Sequence, residues 1–332
     1  MALLTPMTLE EAKQLGSLFG LQVAALRPIP RGSVNSNFAV SLGGDGSLGG
    51  DEQDKRAFLR VCEESNHEAV VMQNRLLGHL VEHGVPTPAP LLRVDGQGSV
   101  AEHAGKPVAA FPFCDGDWIC QKMVDETRMR IVGEALATIH VAGDGYRGAP
   151  LSRFGPPQLR ERVASLRTQS LAPELRDTVE MLASRLDETA AAVADLPETL
   201  VIHGDVFRDN VLWHEDGRLS AILDFESASY GHASFDLMVT LLAWCHGDTL
   251  SRDLARALVD GYQSCRELSR EELDACYDQA RAAAVRFAIT RITDYELRPR
   301  GVVVYKDYRR FVARLEAIEA IGRGELATWL TG

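Results

Sequence analysis

The stretch Leu200-Val-Ile-His-Gly-Asp-Val-Phe-Arg-Asp-Asn-Val-Leu-Trp-His214 sets polar, chemistry-bearing side chains between apolar runs, and Ala221-Ile-Leu-Asp-Phe-Glu226 follows with another acidic pair. Polar groups packed this densely between apolar segments are costly to bury unless they are hydrogen-bonded or hold a ligand. Asp205, Asn210 and Asp224 offer oxygen donors at loop and strand ends. Such a set suits a hard cation such as magnesium, which keeps several waters and leans on substrate phosphates. Asp205 or Asn210 alone reads as a hydrogen-bonded turn. The combination His203-x-Asp205-x4-Asn210 followed by Asp224-Phe225 makes the cation site the stronger reading.

These residues need a scaffold, and the flanking sequence predicts one. Thr8-Leu-Glu-Glu11 has the form of a capping box opening a helix to about residue 19. Strands are predicted at 21–26, 34–42 and 57–61, with the glycine-rich 43–50 as a hairpin tip. Apolar residues recur at helical spacing over 67–82, and Gly84-Val-Pro-Thr-Pro-Ala-Pro90 ends that helix. A strand at 108–113 runs into the polar link Cys114-Asp-Gly-Asp117. Beyond it the pattern turns helical, over 126–141, 173–196, 235–245, 253–263, 270–293 and 306–321. Short strands at 200–203, 211–214 and 219–224 interrupt the helices. The outline is an α+β chain: a sheet-rich lobe over 1–115, a short hinge, and a larger helical lobe over 116–332, with no internal repeat.

Composition narrows the partners. Of 332 residues, 45% are hydrophobic and 25% charged, which is ordinary globular usage. Lys and Arg total 35 against 47 Asp and Glu, a net charge of -12 with no sustained basic stripe. Nucleic acid and anionic membrane surfaces, which both need clustered positive charge, are disfavoured as partners. The six cysteines form no C-x-x-C pair and read as reduced, mostly buried thiols. The first residues lack the basic and apolar regions of a signal peptide, and no apolar run is long enough to span a bilayer. A soluble cytoplasmic protein, monomer or homodimer, is the expectation.

His203-x-Asp205-x4-Asn210 resembles the catalytic loop of the protein-kinase-like superfamily, and Asp224-Phe225-Glu226 its metal-binding segment. Gly204 in place of arginine is similar to the aminoglycoside phosphotransferase branch, which includes kinases of choline, homoserine and related alcohols. Within that branch, Asp205-Val-Phe-Arg-Asp-Asn-Val-Leu212, Gly32-Ser-Val-Asn-Ser-Asn-Phe38, Val81-x-x-Gly-Val-Pro-Thr-Pro88 and Gly105-Lys-Pro107 resemble the bacterial homoserine kinases of this fold. Asp236 through Cys245 and Arg286 through Arg291 extend the likeness. The segment 227–236 reads more like the general phosphotransferase pattern, and Leu242-Ala243 stand where the homoserine-kinase pattern is more polar.

The resemblance implies a bilobal protein-kinase-like fold and an ATP-dependent, magnesium-requiring kinase acting on the hydroxyl of a small amino-bearing metabolite, homoserine first. Another amino alcohol, hydroxy amino acid or aminoglycoside is the alternative acceptor, and an inactive nucleotide-binding pseudokinase the alternative class. Asp205 is implied as the base, His203 as its orienting neighbour, and Asn210 and Asp224 as magnesium ligands. Arg208 and Asp209 are implied to lie within reach of phosphoryl group or acceptor, a supporting salt bridge being an equal reading for each, and Glu226 is implied at the acceptor. Ser33 and Asn35 are implied as phosphate-covering residues, and Arg60 as the stand-in for the family's strand lysine, paired with Glu68. Arg286, with Arg291, is placed to clamp a substrate carboxylate, intrahelical pairing of Arg291 with Asp294 being the plainer reading. Asp236 is expected to brace the loop. No recognisable peptide-docking activation segment follows Asp224, which weakens a protein-kinase reading.

Overall fold

The computed structural model describes residues 4–29, 35–43, 55–196, 200–298 and 305–331. They fall into two compact units, one up to Asp117 and the other from Trp118 onward.

The first unit is built on alternation. Strands β1 (Val23–Pro28), β2 (Ser36–Leu42), β3 (Arg56–Val61), β4 (Ala101–His103) and β5 (Lys106–Pro112) form an antiparallel sheet of order β1-β2-β3-β5-β4. In β3, Ala57, Leu59 and Val61 turn into the core, where they meet Ala12 and Leu15 of helix α1 (Leu9–Leu18), while Arg56, Phe58 and Arg60 take the other face. The Thr8 capping box is formed as the sequence implies. Helix α2 runs His67–Glu82.

The second unit is mainly helical. It contains α3 (Glu126–Gly143), α4 (Pro156–Arg167), α5 (Pro173–Ala192), α6 (Ala233–Trp244), α7 (Arg252–Cys265), α8 (Arg270–Arg291) and α9 (Arg309–Thr331), the last kinked at Gly322. Two small antiparallel ladders hold the motif region: β6 (Leu200–Ile202) pairs with β9 (Ser229–Gly231), and β7 (Val211–Trp213) with β8 (Leu219–Ile222). Helices α3 and α7 cross so closely that only glycine fits: a Cβ at Gly133 would lie 2.1 Å from the Leu258 carbonyl, and one at Gly261 2.1 Å from the Arg130 carbonyl. That crossing sets His140 against Tyr262. Helix α6 is apolar all round and buried along its length, which fixes its first-turn residue Asp236 in the interior.

Helix α4 and strand β9 have no counterpart in the expected outline, and 270–293 ends in a π-helical turn over Ile292–Glu296. No described helix is long and apolar enough to cross a membrane. Of the six free cysteines, three are buried and only Cys120 and Cys265 are exposed.

Candidate active site

Strand β6 delivers the chain into the loop at His203, and a buried carboxylate catches it there. Asp236 Oδ2 accepts the His203 backbone N–H (2.7 Å) and Oδ1 that of Gly204 (2.8 Å). Burial opposes ionisation of Asp236, but hydrogen bonds from His140 and from the loop outweigh it and hold its pKa below the usual carboxylate range. Gly204 has φ +74, and a Cβ there would meet the Ser227 carbonyl at 3.2 Å. The glycine is therefore required by backbone geometry.

His203 is buried, with both ring nitrogens committed. Nδ1 accepts the Asp205 backbone N–H (3.2 Å), so Nε2 carries the proton and donates to the Leu223 carbonyl (3.0 Å). Burial pushes its pKa down, and its ring packs 4.4 Å from that of buried Phe225. A neutral imidazole with both nitrogens engaged fixes the loop and has no free nitrogen with which to relay a proton.

Asp205 follows, half-buried. Burial raises its pKa to about 7; Arg286 and Lys306 pull it down while Asp224 and Asp209 push it up. Asn210 closes the loop, its Nδ2 donating to the Asp205 carbonyl (2.8 Å) and carboxylate (3.3 Å). The β7–β8 hairpin then brings the distant motif alongside. Val211 pairs with Ile222, and Leu223 N–H donates to the Asn210 carbonyl (2.8 Å), which leaves Asp224 next in line. Asp224 itself has φ 66 and ψ 58. The left-handed region costs a non-glycine residue about 1–2 kcal/mol, and such strain gathers at functional positions.

The oxygen set fits a divalent cation. With Nδ2 of Asn210 bonded to Asp205, its Oδ1 is left for coordination, and the Asp224 carboxylate takes part in no hydrogen bond or ion pair among the described residues. Among those residues no cluster of three or more His, Cys, Asp or Glu has metal-binding geometry. A cation here would therefore lean on phosphate and water, as magnesium does.

The remaining expected residues separate. Asp209 is exposed and pairs with Lys306 at 3.8 Å. Arg208 and Glu226 are half-buried in the turns around Asn210 and Asp224. Arg286 departs from the carboxylate-clamp expectation. It is 5% exposed, donates to the Gly204 carbonyl (2.5 Å) and lies 4.4 Å from the ring centroids of both Phe154 and Phe287. Helix α8 is buried on nearly every side here, so Arg286 points beneath the loop and braces it. The pairing of Arg291 with Asp294 is also not formed: Asp294 goes to Arg162, and Arg291 donates to the Asp307 carbonyl (2.9 Å).

In the first unit, Ser33 lies outside the described residues, as does the start of the 32–38 motif. Asn35 is buried and its Oδ1 accepts the Glu63 N–H (3.1 Å). Arg60 stands on β3 with its guanidinium 5.7 Å and 6.0 Å from the ring centroids of Phe58 and Phe111. Glu68 sits exposed in the first turn of α2, and no ion pair joins it to Arg60. One cation–carboxylate pair of this unit is Lys106 with Glu63, whose carboxylate also accepts from Thr5 (3.0 Å) and Ser36.

Sequence reading missed the chain of polar groups behind Asp236. Arg266 donates to Tyr262 Oη (3.0 Å), which bonds His140 Nδ1 (2.7 Å), whose Nε2 bonds Asp236 Oδ2 (3.1 Å). One histidine on the apolar face of α3 and one tyrosine on α7 were its only traces.

Residues 25–268 match the model of the phosphotransferase enzyme family. A homoserine kinase of Caulobacter sp. (strain K31) is 32% identical, covering 98% of this chain and 100% of that one. One from Rhizobium meliloti (strain 1021) is 31% identical, over 97% and 95%. Among solved structures, an amicoumacin kinase in complex with AMP-PNP and Ca2+ superposes with TM-score 0.68 at 14% identity, covering 96% of this chain and 93% of that one. A choline kinase from Cryptosporidium parvum gives 0.62 at 13%, covering 93% of each. Sequence, fold and the arrangement of Asp205, Asn210 and Asp224 converge: the chain belongs to the phosphotransferase enzyme family and is an enzyme that transfers phosphate to a hydroxyl group.

Proposed function

We propose that the protein is an ATP-dependent kinase whose acceptor is the primary hydroxyl of homoserine. The observation that carries the kinase reading is the loop itself: Asp205 tied to Asn210, with the hairpin bringing Asp224 to the same place. The acceptor reading is supported by the homoserine kinases, similar to this chain over 95–100% of their own length.

In this reading Asp205 takes the hydroxyl proton as the acceptor oxygen attacks the γ-phosphorus, forming the phosphate ester and releasing ADP. A carboxylate with a pKa near neutrality is suited to that task. Asn210 Oδ1 and the Asp224 carboxylate would hold a magnesium ion. When bound, it offsets the charge of the nucleotide phosphates. His203 and Asp236 fix the loop backbone, and Arg286 supports it from below through the Gly204 carbonyl. Arg60 and the 32–38 segment are proposed as the first unit's phosphate contacts, with Ser33 and Asn35 belonging to that segment. Asp209 and Glu226 are proposed to border the acceptor.

The test is ADP release with magnesium across homoserine, choline, ethanolamine, hydroxylysine and aminoglycosides. Homoserine is expected to give the highest kcat/KM. A clear preference for another acceptor overturns homoserine, and absence of turnover on all of them overturns the kinase assignment.

A further inference from the structure

The chain carries a net charge of -12, yet several arginines of the second unit have no carboxylate in direct contact among the described residues. Arg208, Arg291, Arg310 and Arg314 form no ion pair among the described residues, whereas most neighbouring cations do, including Arg162 with Asp294, Lys306 with Asp209 and Arg309 with Glu296. Arg291 and Arg314 share one aromatic ring, their guanidinium carbons 4.5 Å and 4.9 Å from the Phe311 centroid. The contacts they do make go to neutral carbonyls: Arg314 to Leu242 and Arg310 (both 2.7 Å), Arg291 to Asp307 (2.9 Å). Burial, reinforced by the other arginines, lowers the pKa of Arg314 and of Arg291 to about 10, and Arg208 is lowered too.

Cations gathered and partly buried without a counter-ion are unfavourable by themselves, and an anion binding among them relieves both desolvation and mutual repulsion. The cluster adjoins the catalytic loop. Arg208 lies within it, and Arg291 and Lys306 both act electrostatically on Asp205. A group bound there would lie in electrostatic range of Asp205. The planar guanidinium fork matches a carboxylate by paired hydrogen bonds. The same charge repels polyamine and quaternary-ammonium acceptors that carry no anion.

We infer that Arg291, Arg314 and Arg208, with Lys306 and Arg310 around them, form a carboxylate subsite that restricts the acceptor to alcohols bearing an anionic group. The inference rests on the kinase reading above and assigns its specificity to a guanidinium cluster, while Arg286 is occupied beneath the loop.

The experiment uses acceptor pairs that differ only by the carboxylate: homoserine against 3-aminopropan-1-ol, and serine against ethanolamine, in carboxylate-free buffer. Wild-type kcat/KM is expected to favour the carboxylated member by roughly 10–100-fold. In Arg291→Gln and Arg314→Gln, checked for folding by melting temperature and ADP affinity, that ratio should fall to within a few-fold while KM for ATP holds. Arg291→Lys should be intermediate. A ratio near one in the wild type, or an unchanged ratio in the folded variants, overturns the subsite. A rise in KM for ATP at constant acceptor ratio assigns the cluster to nucleotide phosphates and also overturns it. If no acceptor is turned over, the kinase reading has failed. Calorimetric titration of the same pairs then decides the subsite, which is overturned if homoserine binds no more tightly than 3-aminopropan-1-ol.

Discussion

Asp236 Oδ2 accepts a hydrogen bond from His140 Nε2 at 3.1 Å, and the same oxygen accepts the His203 backbone N–H at 2.7 Å. One fully buried carboxylate thus joins helix α3 to the first residue of the candidate loop. Its other oxygen takes the Gly204 N–H, so both oxygens act as acceptors. Asp236→Asn must turn an N–H toward a backbone donor or the histidine. It is expected to cost about 1–3 kcal/mol of stability and to lower kcat by more than it alters KM for ATP. Steady-state kinetics with thermal melting check this; an unchanged kcat would remove Asp236 from loop positioning.

Asp205→Asn keeps the shape of the loop and removes the proton acceptor. Turnover should fall by about 10^2–10^4-fold, while ADP affinity, measured by calorimetry, stays within a few-fold. Near wild-type turnover in the variant would place the base elsewhere.

Chelation of divalent cations should abolish activity, and magnesium should restore it. Asn210→Ala and Asp224→Asn should each raise the magnesium concentration for half-maximal activity, roughly tenfold or more given how few protein ligands the site offers. A titration of activity against magnesium reads this. An unchanged midpoint in both variants would move the cation away from the hairpin.

The grouping of the candidate loop is legible because it is local: the spacing of His203, Asp205, Asn210 and Asp224 survives in the chain order, and one tight hairpin brings them together. What stayed hidden is what long-range packing decides. The link between His140 and Tyr262 depends on the glycine crossing of α3 and α7, which no periodicity announces. The carboxylate-clamp reading of Arg286 comes from the resemblance, and a segment match does not report which way a helical side chain packs. Helix α8 has almost no outside, with Ala283, Ala284, Val285, Phe287 and Ala288 buried beside it. Helix α4 carried its start signal, Pro156 and Pro157, but its apolar stripe of Leu159, Val163 and Leu166 is narrow. The Glu68 pairing failed because the first turn of α2 is exposed, and the carboxylate that does capture a lysine, Glu63, lies just past β3.

Gly204→Ala tests the loop's backbone. The added Cβ would sit at φ +74 and 3.2 Å from the Ser227 carbonyl. A left-handed non-glycine residue costs about 1–2 kcal/mol before that contact is counted, so the melting temperature should drop by about 2–6 °C. Because Gly204 also accepts from Arg286 through its carbonyl, activity should fall with stability. A variant of unchanged melting temperature would show that the loop relaxes freely.

Glu63 supplies a prediction in pH. Burial works against its ionisation, but hydrogen bonds from Lys106, Ser36 and Thr5 outweigh that penalty, and its pKa in the folded protein lies below the usual value of 4.5. A carboxyl with a depressed folded-state pKa binds protons more readily in the unfolded chain. Its contribution is therefore fully present above the unfolded value and is lost as pH falls through the folded one. Melting temperatures of the wild type should decline below about pH 4.5. Glu63→Gln cannot take part in that titration. It should be less stable than the wild type at pH 7, because Lys106 loses its partner, and the gap should narrow as the pH falls through the acid range. Thermal melts of both proteins from pH 7 to 3 measure it, and a gap that stays constant across that range would show that Glu63 carries no linkage.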